Sequence, residues 1–151
     1  MFHRLLVALD GAELAPRAIE VSIALAQQLG AAIIGFIAEP PVPLPSPGAR
    51  AQTPGQASDL TASVCELRTG EHAQRLLDGF GQRARCAGVA FEGHYLNTQD
   101  IDGAIVWAAQ HHDCDMIVMV THGRGALGRF FLGSHTSKVV ERSALPVLVM
   151  H

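Results

Sequence analysis

The residues best suited to chemistry lie in one glycine-rich stretch, Thr121-His122-Gly123-Arg124-Gly125-Ala126-Leu127-Gly128-Arg129-Phe130-Phe131-Leu132-Gly133-Ser134. Its four glycines let backbone N–H groups approach an anion with no Cβ in the way. Gly133-Ser134 opens a helical pattern, and the first amides of a helix are unpaired and sit at the positive end of its dipole. Arg124 and Arg129 add positive charge, and His122 and His135 can add it when protonated. The composite suits a phosphate cradle. It is not a P-loop: no GxxxxGK[ST] occurs, and the single lysine, Lys138, falls inside the helix. It is not the dinucleotide fingerprint either, because the glycines follow the fourth predicted strand rather than the first. A turn-rich connection with Ser134 as an ordinary N-cap accounts for the same residues equally well, so the residues alone leave both readings open.

Asp10, directly after an apolar run, is a second candidate. A carboxylate at a strand end can act as a general base or hold Mg²⁺ through nucleotide phosphates. No nucleophile–base pair and no second carboxylate is recognisable beside it, which favours binding over catalysis. His111-His112-Asp113-Cys114-Asp115 is a dense run of metal-ligand types. Adjacent helical residues diverge by about 100°, so one ion does not easily use both histidines, and histidine also suits the negative end of a helix. The run is read as a helix end, and no metal held by protein ligands alone is expected. Cys114, ahead of an apolar strand, reads as a small buried filler rather than a reactive thiol. Trp107 lies off the apolar stripe of its helix. It covers the neighbouring loop or an interface, or is a half-buried surface aromatic.

The elements that must position these groups follow from apolar periodicity. Leu5 to Leu9 is a continuous apolar run, the mark of a buried parallel strand. From Ala12 to Leu29 the period becomes helical, with Leu14, Ala18, Val21, Leu25 and Leu29 as one row and Ala15, Ile19, Ser22 and Ala26 beside it. Pro16 falls in the first turn and Gly30 at the stop. Ala31 to Ala38 is a second strand, completing a right-handed βαβ unit. Six of the eight prolines lie between Pro40 and Pro54, so Glu39 to Gln56 is expected to be a surface loop insertion. A helix is predicted from about Ser58 to Ala87, a strand over Val89 to Leu96, and a helix over Asp100 to His112 with Ile101, Ala104, Ile105, Ala108 and His112 on one face. Then come a strand over Met116 to Val120, a helix over Ser134 to Arg142 and a last strand over Pro146 to Met150. Alternating strands and helices predict an α/β fold, a single domain over residues 1–151 with an open, doubly wound parallel sheet. Ligands bind such sheets outside the carboxyl ends of the strands, where the strand order reverses.

Composition narrows the function. The chain has 151 residues, 48% hydrophobic and 17% charged, with net charge −3. This excludes a disordered polyanion or polycation and a simple electrostatic nucleic-acid binder. Aromatics at 5% supply no row of stacking platforms for single strands. Cys65, Cys86 and Cys114 form no CxxC pair and no disulfide framework, so a reducing cytoplasm is expected. No stretch approaches the roughly 20 apolar residues of a membrane span.

Five pieces in order resemble the universal stress protein family: Leu6-Val7-Ala8-Leu9-Asp10-Gly11, Met116-Ile117-Val118-Met119, Thr121-His122-Gly123-Arg124-Gly125, Leu132-Gly133-Ser134 and Pro146-Val147-Leu148-Val149. The resemblance runs along the whole chain apart from the proline-rich insertion. It implies a five-stranded Rossmann-like sheet of the adenine nucleotide alpha hydrolase-like kind, in the order 3-2-1-4-5, and a stress-response regulator that binds ATP, with Mg²⁺ through the nucleotide. It implies no dedicated catalytic reaction, with slow ATP hydrolysis or a nucleotide-free scaffold as the alternatives. The ATP-binding branch carries glycine, two residues, glycine, nine residues, glycine, then Ser or Thr. Gly123, Gly133 and Ser134 match, and Val120 stands at the first glycine position. Carried over residue by residue, the resemblance places Asp10 and Ile37 near adenine, with Ala8 and Leu9 also in the nucleotide site. It places Val120, Thr121 and Gly123 near ribose and phosphates, with His122 and Arg124 also in the nucleotide site, and Gly133, Ser134, His135 and Thr136 around the phosphates. Ala12 replaces the serine usual two residues after Asp10. The resemblance also implies a homodimer. The last strand, at a sheet edge in that order, is short, apolar and uncharged. A two-fold mate pairing through Val147, Leu148 and Val149 would cover it.

Overall fold

The computed structural model describes residues 1–9, 16–41, 62–120 and 134–150, with the backbone alone over 62–69. The elements run β1 (Arg4–Leu9), α1 (Pro16–Leu29), β2 (Ala32–Glu39), α2 (Ala62–Cys86), β3 (Phe91–Asn97), α3 (Ile101–His111), β4 (Met116–Val120), α4 (Ser134–Arg142) and β5 (Val147–Met150). All pairings between strands are parallel, and the order is β3-β2-β1-β4-β5. The proline-rich insertion lies outside the described residues from residue 42 onward.

Strand alternation divides the core into two layers. Leu5, Val7 and Leu9 of β1, with Ile33 and Ile37 of β2 and Val118 of β4, face α1 and α2 through Ile19, Ile23, Ala26, Leu77 and Phe80. Leu6 and Ala8, with Ile34, Phe36, Ile117 and Met119, face α3 and α4 through Ala104, Ile105, Ala108 and Val139. The three central strands are therefore apolar on both faces, which is why their sequences read as unbroken hydrophobic runs.

The sequence reading differs from the structure at a few places. The buried face of α1 is Ile19, Ser22, Ile23 and Ala26, while Val21 is 45% exposed. The contact stripe is thus rotated from the row through Leu14 and Val21. β3 begins at Phe91 rather than Val89, because Gly88 takes φ +75° after α2 and the Val89 N–H donates back to the Ala84 carbonyl. Gly30 closes α1 in the same way at φ +64°. β5 begins one residue after Pro146, whose carbonyl accepts from the Ile117 N–H.

Candidate functional site

In this sheet β1 is paired to β2 on one side and β4 on the other, and the order reverses between β1 and β4. The carboxyl ends at that point carry several of the sequence candidates. Leu9 and Ile37 are register partners on β1 and β2, and Ala8 is the register partner of Met119 on β4. Ala8, Leu9 and Ile37 are buried, and Val120, the last residue of β4, is half-buried. Leu9, Ile37 and Val120 turn toward the α1 and α2 layer. The Cβ of Val120 is therefore spent on the core. Asp10, Thr121, His122, Gly123, Arg124 and Gly133 lie outside the described residues.

The first turn of α4 supplies the rest. Ser134 and His135 are exposed and Thr136 is buried. His135 hydrogen-bonds through Nδ1 to the carboxylate of Asp102, and Lys138 reaches the other oxygen of that carboxylate at 3.5 Å. Asp102 itself is only 4% exposed, at the start of α3. A buried carboxylate is costly without polar partners, and here both partners come from α4. The contact fixes the first turn of α4 against α3, so the unpaired amides at its N-terminus hold one orientation. Arg142 at the other end of α4 pairs with Asp100 at 3.1 Å. Asp100 also caps α3 by accepting the Gly103 N–H at 3.1 Å, and that bond holds its carboxyl below the usual carboxylate range. Sequence reasoning missed Asp102. An acidic residue in the first turn of a helix reads as a dipole partner, and only the packing of α3 on α4 shows it to be a strut.

The sequence candidates thus gather into two groups among the described residues: an apolar floor at the strand ends, and a helix N-terminus held by Asp102. Val147, Leu148 and Val149 lie apart from both, on β5. That strand pairs with β4 along one side, and Leu148 is 38% exposed.

The cysteine and histidine candidates resolve differently. Cys114 is buried, and that burial pushes its thiol up to about 11. Trp107 is 52% exposed and stacks on His111, with ring centroids 4.6 Å apart. His112 leaves the helix end and meets His94 of β3, 18 residues earlier in the chain, with ring centroids 4.2 Å apart. Nothing in the local sequence links these two histidines; the crossover from β3 through α3 does. No described helix is long and apolar enough to cross a membrane.

The model of the universal stress protein family matches residues 1–151. A Thermus aquaticus protein described as a universal stress protein in the QAH/OAS sulfhydrylase 3′ region is 33% identical over 150 residues, covering 99% of each chain. Among solved structures, a universal stress protein from Lactobacillus plantarum superposes with a TM-score of 0.77 at 21% identity, covering 99% of this chain and 98% of that one. A universal stress protein from Archaeoglobus fulgidus, solved in complex with dAMP, superposes with a TM-score of 0.66 at 18% identity, covering 99% and 98%.

Proposed function

The chain belongs to the universal stress protein family, and from that premise we propose that it binds an adenine nucleotide, ATP with Mg²⁺, where β1 and β4 part. Its role is then that of a stress-response regulator with no dedicated catalytic reaction. The observation that carries the reading is the reversal of strand order at β1, with a first helical turn of α4 held in place by buried Asp102. The Archaeoglobus relative's complex with dAMP supports the choice of adenine. Leu9 and Ile37 supply an apolar floor for the base, with Ala8 and Asp10 beside it. Val120, Thr121, Gly123 and Arg124 follow the ribose and phosphates with His122. Gly133, Ser134 and Thr136 offer backbone amides at the helix end. His135, engaged with Asp102 through Nδ1, positions α4.

Purified protein should carry or take up adenine nucleotide. Chromatography of a denatured sample reads the first and calorimetry with ATP and Mg²⁺ the second. Gly133→Asp should weaken binding by placing like charge at the phosphates, and Val120→Gly should leave or improve it. No uptake by the unmodified chain would defeat the proposal in favour of a nucleotide-free scaffold. We propose also that β5 pairs with its own copy across a two-fold axis through Val147, Leu148 and Val149. Leu148→Pro removes one ladder donor and should give monomer or aggregate. Light scattering that finds the unmodified chain monomeric at 16.0 kDa would overturn this.

A further inference from the structure

On the α3 side of the sheet, the edge strand β3 presents Glu92 and His94. Their register partners on β2 are Ile34 and Phe36, which face that layer. The end of α3 brings His112 over them. One oxygen or nitrogen ligand atom from each of Glu92, His94 and His112 lies within 4.8 Å of the others. His94 Nε2 is 2.8 Å from Glu92 Oε1, and the rings of His94 and His112 lie 4.2 Å apart at an interplanar angle of 33°. Three donors around a tetrahedral zinc sit roughly 3.3 Å from one another at ordinary bond lengths. Small χ adjustments of half-exposed side chains close the difference.

We propose that Glu92, His94 and His112 form a zinc site that ties the edge strand β3 to the end of α3. Two imidazoles with one carboxylate select a late first-row divalent ion over calcium or magnesium, which prefer all-oxygen shells. The backbone under each ligand is already fixed. His94 sits within the β2–β3 ladder. The His112 N–H bonds to the Ala108 carbonyl at 3.0 Å, and the His112 carbonyl accepts from Arg4 Nη1 at 2.7 Å. His111 is engaged elsewhere, flat against Trp107 and edge-on to His112 at 5.1 Å. The fourth position is open to water, as in zinc sites with three protein ligands.

The site does not depend on the nucleotide reading, and its test is separate. Tag-free protein stripped by chelator would be titrated with Zn²⁺ by calorimetry, with bound metal counted by elemental analysis. One zinc per chain is expected. Affinity should fall by more than about 100-fold in His94→Ala and in His112→Ala, beyond the loss from disturbing an outer-shell partner. His72→Ala, an exposed position on α2, should leave it unchanged. Co²⁺ provides a second readout, because Trp107 is the single tryptophan and only the His111 ring lies between it and the ligand His112. Co²⁺ should quench its emission in the unmodified chain and not in the doubly substituted His94→Ala/His112→Ala chain, both checked for folding by circular dichroism. Sub-stoichiometric zinc, or equal affinity in the folded single variants, would overturn the site.

Discussion

Two glycines of α2, two residues apart, should respond differently to the same substitution. Gly79 is exposed, and a Cβ built there meets nothing within 4 Å. Gly79→Ala should therefore gain helix propensity alone, about 0.8–1.0 kcal/mol. Gly81 is buried, and its Cβ would stand 2.7 Å from Phe91 Cδ1 and 3.0 Å from Cε1. The ring cannot simply retreat. Its Cζ lies where a Cβ on Gly35 would be at 2.6 Å, its Cε1 is 3.2 Å from the equivalent point on Gly93, and Phe80 packs at 4.9 Å between centroids. The same propensity gain at Gly81 is opposed by an over-packing cost of about 1–3 kcal/mol, leaving Gly81→Ala neutral or destabilised by up to about 2 kcal/mol.

The quantity to measure is the gap between the two variants by urea denaturation and thermal melting. For a chain of this size each kcal/mol moves the midpoint by roughly 2–4 °C. In a Phe91→Ala background the clashing ring atoms are gone, so Gly81→Ala should there become stabilising like Gly79→Ala. That converts the argument into a double-mutant cycle with a coupling of about 1–3 kcal/mol. Equal gains at both glycines, or a coupling to Phe91 below about 0.5 kcal/mol, would refute the claim that this ring sets the fit of α2 on β3. The claim matters beyond stability, because Phe91 begins the strand that carries Glu92 and His94.

Ser22 on α1 is fully buried and its hydroxyl has no hydrogen-bond partner among the described residues. Ser22→Ala should raise stability by about 1 kcal/mol in thermal melting, and a fall would mean that the hydroxyl is bonded in solution. Cys86 is exposed whereas Cys114 is buried with its thiol pushed up to about 11. Peptide mapping after maleimide treatment at pH 8 should find Cys86 modified well before Cys114. Asp115 accepts the backbone N–H groups of His3 at 2.5 Å and Arg4 at 2.8 Å, and these bonds hold its carboxyl below the usual range. A depressed native value adds stability above the unfolded value of about 3.9, and that stability is lost as pH falls through the native one. Asp115→Asn should therefore flatten the acid limb of a stability–pH curve, which chemical denaturation at stepped pH would show.

The fold was legible because its central strands are buried on both faces. Met116–Val120 and Ser134–Arg142 fall where periodicity places them, and the sheet order follows from the resemblance. What escaped the sequence is what depends on separations of many residues. The carboxylate of Asp102 meets His135, 33 positions later. His111 and His112 are neighbours in the chain, and local geometry argues against their sharing an ion. Their rings meet edge-on at 5.1 Å, but His111 stacks on Trp107 whereas His112 meets His94. No period of 2.0 or 3.6 residues encodes such a meeting, since it arises only when α3 has crossed from β3 at the edge to β4 near the centre.

That crossover also explains why the two candidate sites sit at opposite ends of α3. A helix joining parallel strands starts near the carboxyl end of one and finishes near the amino end of the next. The first turn of α3, with Asp102, is therefore close to the strand ends proposed to receive nucleotide, where it steadies α4 through His135 and Lys138. The last turn, with His112, is at the far end, beside Arg4 at the start of β1. A metal gripping His112 and His94 would fasten one end of this helix while Asp102 fastens the other. Helix α3 buries only small and aliphatic residues besides Asp102, so polar contacts at its two ends supply the orientation that so smooth a face does not. The two sites are separate in chemistry but share one rigid element.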